Sequence, residues 1–371
     1  MKSSYVRDLI ALLALLLLGG YYLNYREVFA ALPYEDAAIL MRYIDHLANG
    51  HGIVWNIGEN PIDGGTDFLF LVLAAALQKA GLSTESAVLS LNLFAYFGTS
   101  LLVYFGWKKS GNNIWLSTFA AAMLLLGPAY GYIEAGFATP FFGFLTAVVC
   151  FCVLSFLQEP SNSAWTYAFG ISSLLLGLCR PEGVFLSAFI LAGVWVYMGK
   201  DHVVPLLKSY TIWVLGIGSI YLVWHYLYFG HLFPNPFYKK GGGALYWSSF
   251  FESISHVFYD LLRPPTIALS TLLAAGKFSK RLRLAIIPIL GFTTIWVLLS
   301  NEMNYMMRFQ YPVLPLFFMF FGYVWHEFHE WAFSTRKNKA IVALLLLIFV
   351  FHYFSYFPSN KKEVDGRYDV A

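Results

Sequence analysis

The sequence predicts an all-α, polytopic transmembrane helical bundle of about eleven spans, with external juxtamembrane helices in its first loop. Three observations carry that expectation. Of 371 residues, 58% are hydrophobic and only 12% charged, with a mean hydropathy of +0.61, which leaves too little polar surface to coat a water-soluble globule. The apolar residues fall in runs long enough to cross a bilayer, about 17 residues or more. The cations cluster in alternate gaps between those runs, as the positive-inside bias requires. Fifteen prolines and thirty glycines are spread through the apolar stretches, a distribution that helical membrane proteins tolerate. The net charge of +3 is small and scattered, which argues against nucleic acid as a partner. Cys150, Cys152 and Cys179 sit inside apolar runs and read as small hydrophobes, not as a disulfide or zinc set.

Taken in order, the spanning stretches run near 8–24, 86–107, 114–131, 137–157, 164–179, 183–198, 209–229, 284–300, 311–327 and 340–357, with a weaker one at 265–276. The first is followed by Val28-Phe29-Ala30, which resembles a signal-cleavage site, but its apolar run continues past Gly20 and reads as a retained anchor. The stretch from Asp67 to Ala80 is apolar too, yet roughly 14 residues is short for a span. Charge decides that point. With Lys2 and Arg7 inside and 67–80 lying at the interface, Lys108, Lys109, Lys200, the group Lys277, Lys280, Arg281 and Arg283, and then Arg336, Lys337 and Lys339 all fall on the cytoplasmic side. The C-terminus is then external. Residues 1–360 read as one transmembrane domain, 25–80 as its external loop with the juxtamembrane helices, and 361–371 as a short polar tail.

This orientation gathers the unusual polar residues on the outer face, in 25–66, 130–140, 180–183, 231–265 and 301–310. The spans themselves hold almost no ionisable groups, His225 and His352 lying near span ends, whereas an ion-coupled transporter places charges near mid-membrane. In the first loop, Pro33-Tyr34-Glu35-Asp36 opens a helix that runs to about Asn49 and stops at Gly50 and Gly52. At about 100° per residue, Ile39, Leu40, Tyr43, Ile44 and Leu47 form an apolar stripe, with Arg42, Asp45, His46 and Asn49 opposite. Asp36 projects into the stripe and Glu35 lies at its edge. Two acids in a first turn complement the helix dipole. An acid facing a cavity at the membrane surface, where desolvation favours its protonated form, also suits a general base. The two readings coexist.

The runs Glu35-Asp36-Ala37 with Arg42-Tyr43, Gly50-His51-Gly52 and Asp63-Gly64-Gly65-Thr66-Asp67 resemble the first external loop of GT-C membrane glycosyltransferases. They look closest to the terminal arabinofuranosyltransferases of cell-wall arabinan assembly, which use decaprenyl-phosphate arabinose. Cys179-Arg180-Pro181-Glu182-Gly183, Pro234-Asn235-Pro236-Phe237-Tyr238-Lys239 and Asn304-Tyr305-Met306-Met307-Arg308-Phe309 resemble later motifs of the same family, in the same order. Two departures stand out: Asp67 occupies a position where the family has Asn, and Ala138 one where it tends to have Glu, with Glu134 nearby.

The resemblance implies a GT-C-like bundle at the plasma (inner) membrane, acting on the external or periplasmic side. The reaction would move a sugar, arabinofuranose, another pentose or a hexose, from a polyprenyl-phosphate donor to a cell-envelope glycan, lipid or protein acceptor. Such transfer needs a base for the acceptor hydroxyl and cations for the departing lipid phosphate. By resemblance Asp36 is the base and Glu35 a second acid that orients the acceptor, tunes Asp36 or holds a divalent cation. Arg180, Lys239 and Arg308 are phosphate contacts, and Tyr238, His51, Asp63 and Asn235 are further substrate contacts. Interfacial cations also snorkel to head groups and aromatics also line the interface, so each has a plainer alternative. His46 and His51 lack a third ligand at zinc spacing. A flippase of lipid-linked sugars would need a polar path and repeat symmetry, and neither is visible. A non-catalytic scaffold would leave the order of the outer motifs without a reason.

Overall fold

A computed structural model describes residues 2–30, 33–240, 244–262, 279–300 and 304–341, with scattered positions up to 351. The described chain is all helical. The helices are α1 (Lys2–Tyr25), α2 (Glu35–Ala48), α3 (Phe68–Lys79), α4 (Thr84–Lys109), α5 (Ile114–Leu125), α6 (Ala129–Glu134), α7 (Thr139–Gln158), α8 (Ser163–Cys179), α9 (Glu182–Met198), α10 (Lys200–Tyr210), α11 (Gly218–Phe229), α12 (Asn235–Lys240), α13 (Trp247–Ser255), α14 (Lys280–Thr294) and α15 (Val313–Ser334).

Five segments are long and apolar enough to cross a membrane: Tyr5–Tyr25, Thr84–Lys109, Thr139–Gln158, Lys200–Phe229 and Lys280–Leu298. Shorter apolar helices accompany them, namely α3, α5, α8, α9 and the first part of α15. The protein is therefore embedded in a membrane, with an apolar exterior that exposes Leu17, Trp115, Ile220 and Leu227. The predicted stretch 265–276, most of 340–357 and the tail 361–371 lie outside the described residues.

Two elements differ from the predicted boundaries. The stretch 114–131 is broken at Gly127-Pro128 into α5 and α6, because proline supplies no N–H to continue the ladder. The stretch 209–229 is the second half of a longer helix: α10 runs through a widened π-helical turn, Thr211–Ile217, into α11. By contrast α3 is short as expected. Its 12 residues rise roughly 18 Å, well below the ~30 Å of a hydrocarbon core.

The buried core is continuous. α4 packs on α5 and α7, α7 on α8, and α14 on α9, while α15 closes against α7 and α4. The two short helices of the first loop, α2 and α3, pack on each other, and α3 also reaches α4 and α8. The apolar stripe of α2 drives this: Ala37, Leu40, Tyr43 and Ile44 are buried, as are Phe70, Leu71, Ala74 and Ala75 of α3. The loop before α2 is pinned by the Tyr34 N–H, which donates to the Ala135 carbonyl at 3.1 Å. Gly136, at φ +76°, permits this approach, since a Cβ there would lie 3.1 Å from that of Ala37. The first turn of α2 is thereby set against the start of α7.

Candidate active site

The residue that meets α2 comes from far along the chain. Arg308 Nη2 donates to Asp36 Oδ2 at 2.6 Å across 272 positions of sequence. The turn carrying it is strained: Met306 and Met307 have φ of +53° and +58°, the left-handed region that side chains rarely adopt. Other bonds hold the turn in place. Tyr132 Oη donates to the Met306 carbonyl at 2.6 Å, Asn304 Nδ2 to Gln310 Oε1 at 2.8 Å, and the Phe309 N–H to Asn304 Oδ1 at 3.1 Å. The Arg308 guanidinium lies 4.2 Å from the Phe137 ring centre. Its Nε is buried with no hydrogen-bond partner among the described residues. Burial lowers its proton affinity below the ordinary arginine value, against the pull of Asp36 and with added repulsion from Arg180.

Arg180 also lies beside Phe309. The two guanidiniums lie 5.5 Å and 5.3 Å from that ring's centre. Arg180 follows the last residue of α8, where it is 8% exposed. It donates to Glu182 Oε1 at 3.2 Å and lies 3.5 Å from Asp67 Oδ1. Burial would lower its proton affinity, but Glu182 and Asp67 outweigh that and raise it. Asp67 precedes the first turn of α3, and burial pushes its carboxyl above the usual range despite Arg180. Asp67 Oδ1 and Glu182 Oε2 are buried without hydrogen-bond partners among the described residues. Three carboxylates and two guanidiniums thus form one cluster beside Phe309, with three buried polar atoms lacking hydrogen-bond partners among the described residues.

A second polar cluster clasps the first loop to α11 and α12. His225 Nδ1 donates to the His231 carbonyl at 2.7 Å, and its Nε2 shares a proton with Asp63 Oδ2 at 2.7 Å. The Asn235 N–H donates to the Asp63 carbonyl at 3.1 Å. Tyr228 Oη accepts from the Ile53 N–H at 3.1 Å, and Tyr43 Oη donates to the Ile62 carbonyl at 2.7 Å. Arg42 closes the loop by donating to the Trp55 carbonyl and to Asn56 Oδ1.

The structure therefore brings Asp36, Arg180 and Arg308 into one cluster and places Asp63 and Asn235 in the clasp. Glu35 is exposed. Asp36, expected to face a cavity at the membrane surface, accepts from the Arg308 guanidinium. Among the described residues no three His, Cys, Asp or Glu side chains converge as a metal set. Tyr238 and Lys239 are exposed on α12, Tyr238 beside His231, Phe233 and Phe237. His51 is exposed, edge-on to His46. Ala138 is buried at the start of α7 and Glu134 is partly buried at the end of α6. Sequence reasoning missed Asp67, Glu182 and His225 as partners. Two of them had a signal: Glu182 sits two positions after Arg180, and Asp67 closes the acidic run that begins at Asp63.

No protein-family model matches the chain, and no curated protein matches it. Solved structures do. ArnT from Cupriavidus metallidurans bound to undecaprenyl phosphate aligns over 87% of this chain at a TM-score of 0.56 and 13% identity. The chain shares the fold of this structure. The same ArnT in the apo state gives 0.55 and 12% over 88% of the chain. The archaeal oligosaccharyltransferase AglB from Archaeoglobus fulgidus, in complex with an inhibitory peptide and a dolichol-phosphate, gives 0.53 and 10% over 96%. The chain spans less than two thirds of those structures, 60%, 62% and 56% of their lengths.

Proposed function

We propose that the chain is a glycosyltransferase that takes its sugar from a polyprenyl-phosphate donor at the outer surface of the plasma membrane, within a bundle of about eleven spans. The observation that carries this reading is the Asp36–Arg308 pair, set with Arg180 beside Phe309 near helices α2 and α3. Two of the similar solved structures hold undecaprenyl phosphate and a dolichol-phosphate, which makes a lipid phosphate the natural anion for those guanidiniums.

In this reading Arg308 and Arg180 stabilise the charge that develops on the departing lipid phosphate, with Arg308 Nε a free donor for it. Phosphate binding draws Arg308 from Asp36, whose carboxylate then takes the proton of the acceptor hydroxyl. Glu35 faces the acceptor side, Lys239 supplies a further cation, and Tyr238 and His51 line the sugar path. Asp63 and Asn235 hold the loop to α11 and α12 so that this path keeps its shape. The donor sugar is arabinofuranose, another pentose or a hexose, and the acceptor a cell-envelope glycan, lipid or protein.

Membranes containing wild type or Asp36→Asn at matched expression, supplied with radiolabelled polyprenyl-phosphate pentoses and hexoses, test the reading. Transfer of one sugar by the wild type, with loss in the variant, is expected. Equal transfer removes Asp36 as the base, and no transfer to any acceptor by either protein removes the enzyme reading.

A further inference from the structure

The outer cluster pairs its charges unevenly. Arg180 bonds Glu182 at 3.2 Å and Arg308 bonds Asp36 at 2.6 Å. Asp67 is the acid left over. Among the described residues its Oδ1, 3.5 Å from Arg180, is buried without a hydrogen-bond partner, while Oδ2 has a 3.5 Å contact from its neighbour Thr66. The groups facing it are Arg180 from the end of α8, Glu182 from the start of α9, Arg308 from the strained turn, and the Cys179 thiol. A carboxylate so placed is a desolvated charge whose nearest cation among the described residues, Arg180, is shared with Glu182, and binding a proton relieves it.

We propose that Asp67 is a positioning residue that carries a proton in the working enzyme, and that this proton admits the donor's phosphodiester between Arg180 and Arg308. With Asp67 neutral, two guanidiniums balance two carboxylates, and one added negative charge meets both cations with no third acid opposing it. With Asp67 ionised, the cluster is already net negative and repels the phosphodiester. The burial that raises the proton affinity of this carboxyl agrees with that assignment. The inference rests on the phosphate-site reading above.

The test is binding of a polyprenyl-phosphate sugar to the purified full chain between about pH 5 and about pH 9. A phosphodiester keeps one charge across that range, unlike a phosphomonoester, whose second proton leaves near pH 6. Wild-type affinity is expected to fall roughly tenfold or more as pH rises. Asp67→Asn, neutral at every pH, is expected to bind as the wild type does at low pH and to show no such fall. Equal pH dependence in the two proteins, or weakening of tenfold or more in Asp67→Asn at low pH, overturns the proposal while leaving the phosphate site standing. No binding by either protein at any pH removes the phosphate site and the proposal with it. Where Asp67→Asn fails to fold, the wild-type infrared spectrum decides. A protonated-carboxyl C=O band present near neutral pH and lost on alkalinisation is expected, and its absence overturns the assignment.

Discussion

Two ion clusters occupy opposite ends of the same bundle and are built on opposite plans. At one end Asp8 of α1 receives Lys108 Nζ on both oxygens, at 2.5 and 2.6 Å, and the Tyr104 hydroxyl at 2.5 Å. One acid meets one cation and a donor, and no side-chain atom of the three is buried without a partner. At the other end, among the described residues, three acids meet two cations, and Asp67 Oδ1, Glu182 Oε2 and Arg308 Nε go without hydrogen bonds. A closed pair joins helices. An unbalanced, desolvated cluster is costly to keep, and a strained turn at Met306 and Met307 adds roughly 1–3 kcal/mol per residue. The difference separates a fastening from a site that a ligand completes.

The sharpest way to break the comparison is Arg308→Ala. It removes the partner of Asp36 and one phosphate contact, and sugar transfer is expected to drop about 10²–10³-fold. Arg308→Lys is expected to recover only part of this, because an ammonium lacks the planar fork that grips a phosphate with two donors. Recovery to wild-type rates in the transfer assay would show that charge alone suffices.

Next in size is the clasp. His225→Ala leaves Asp63 without its partner and is expected to cost roughly 2–3 kcal/mol in denaturant unfolding. It should also speed proteolysis in 50–66, and an unchanged cleavage rate would mean that the loop holds without His225. Gly52→Ala is smaller. At φ +83°, with Tyr228 Oη 2.6 Å from the new Cβ, it is expected to cost roughly 1–2 kcal/mol in the same assay.

The closed pair should matter least. Asp8→Asn is expected to cost about 1 kcal/mol or less, since both groups keep some solvent contact, and to leave transfer per folded molecule unchanged. The last effect concerns pH. Burial holds the folded Asp67 carboxyl above its ordinary 3.8, so the folded state keeps this proton longer than the unfolded chain does. Its contribution to stability is complete below that ordinary value and is lost as pH rises through the raised one. Unfolding curves of Asp67→Asn should lack that component.

Hydropathy and charge made much of this legible in the sequence. The amphipathic α2, the short α3, and the run of α4, α7, α8 and α9 follow from apolar periodicity and length, which act locally. The break at Pro128 was also written in the sequence, but the apolar run masked it. The motifs around Asp36, Arg180 and Arg308 were visible as separate segments. What joined them was not: the Asp36–Arg308 bond spans 272 positions and depends on left-handed methionines, residues with no preference for that conformation. His225 looked like an isolated histidine near the end of an apolar helix, because its partner Asp63 lies 162 positions away.

The most direct test of the central claim compares three single variants, Arg180→Gln, Arg308→Gln and Lys108→Gln, for binding of one polyprenyl-phosphate sugar by the purified protein. Affinity is expected to fall about tenfold or more in each of the first two and to stay at the wild-type value in the third. Equal affinity in all three would contradict the account, because the unbalanced end of the bundle would then be no more a phosphate site than the closed one.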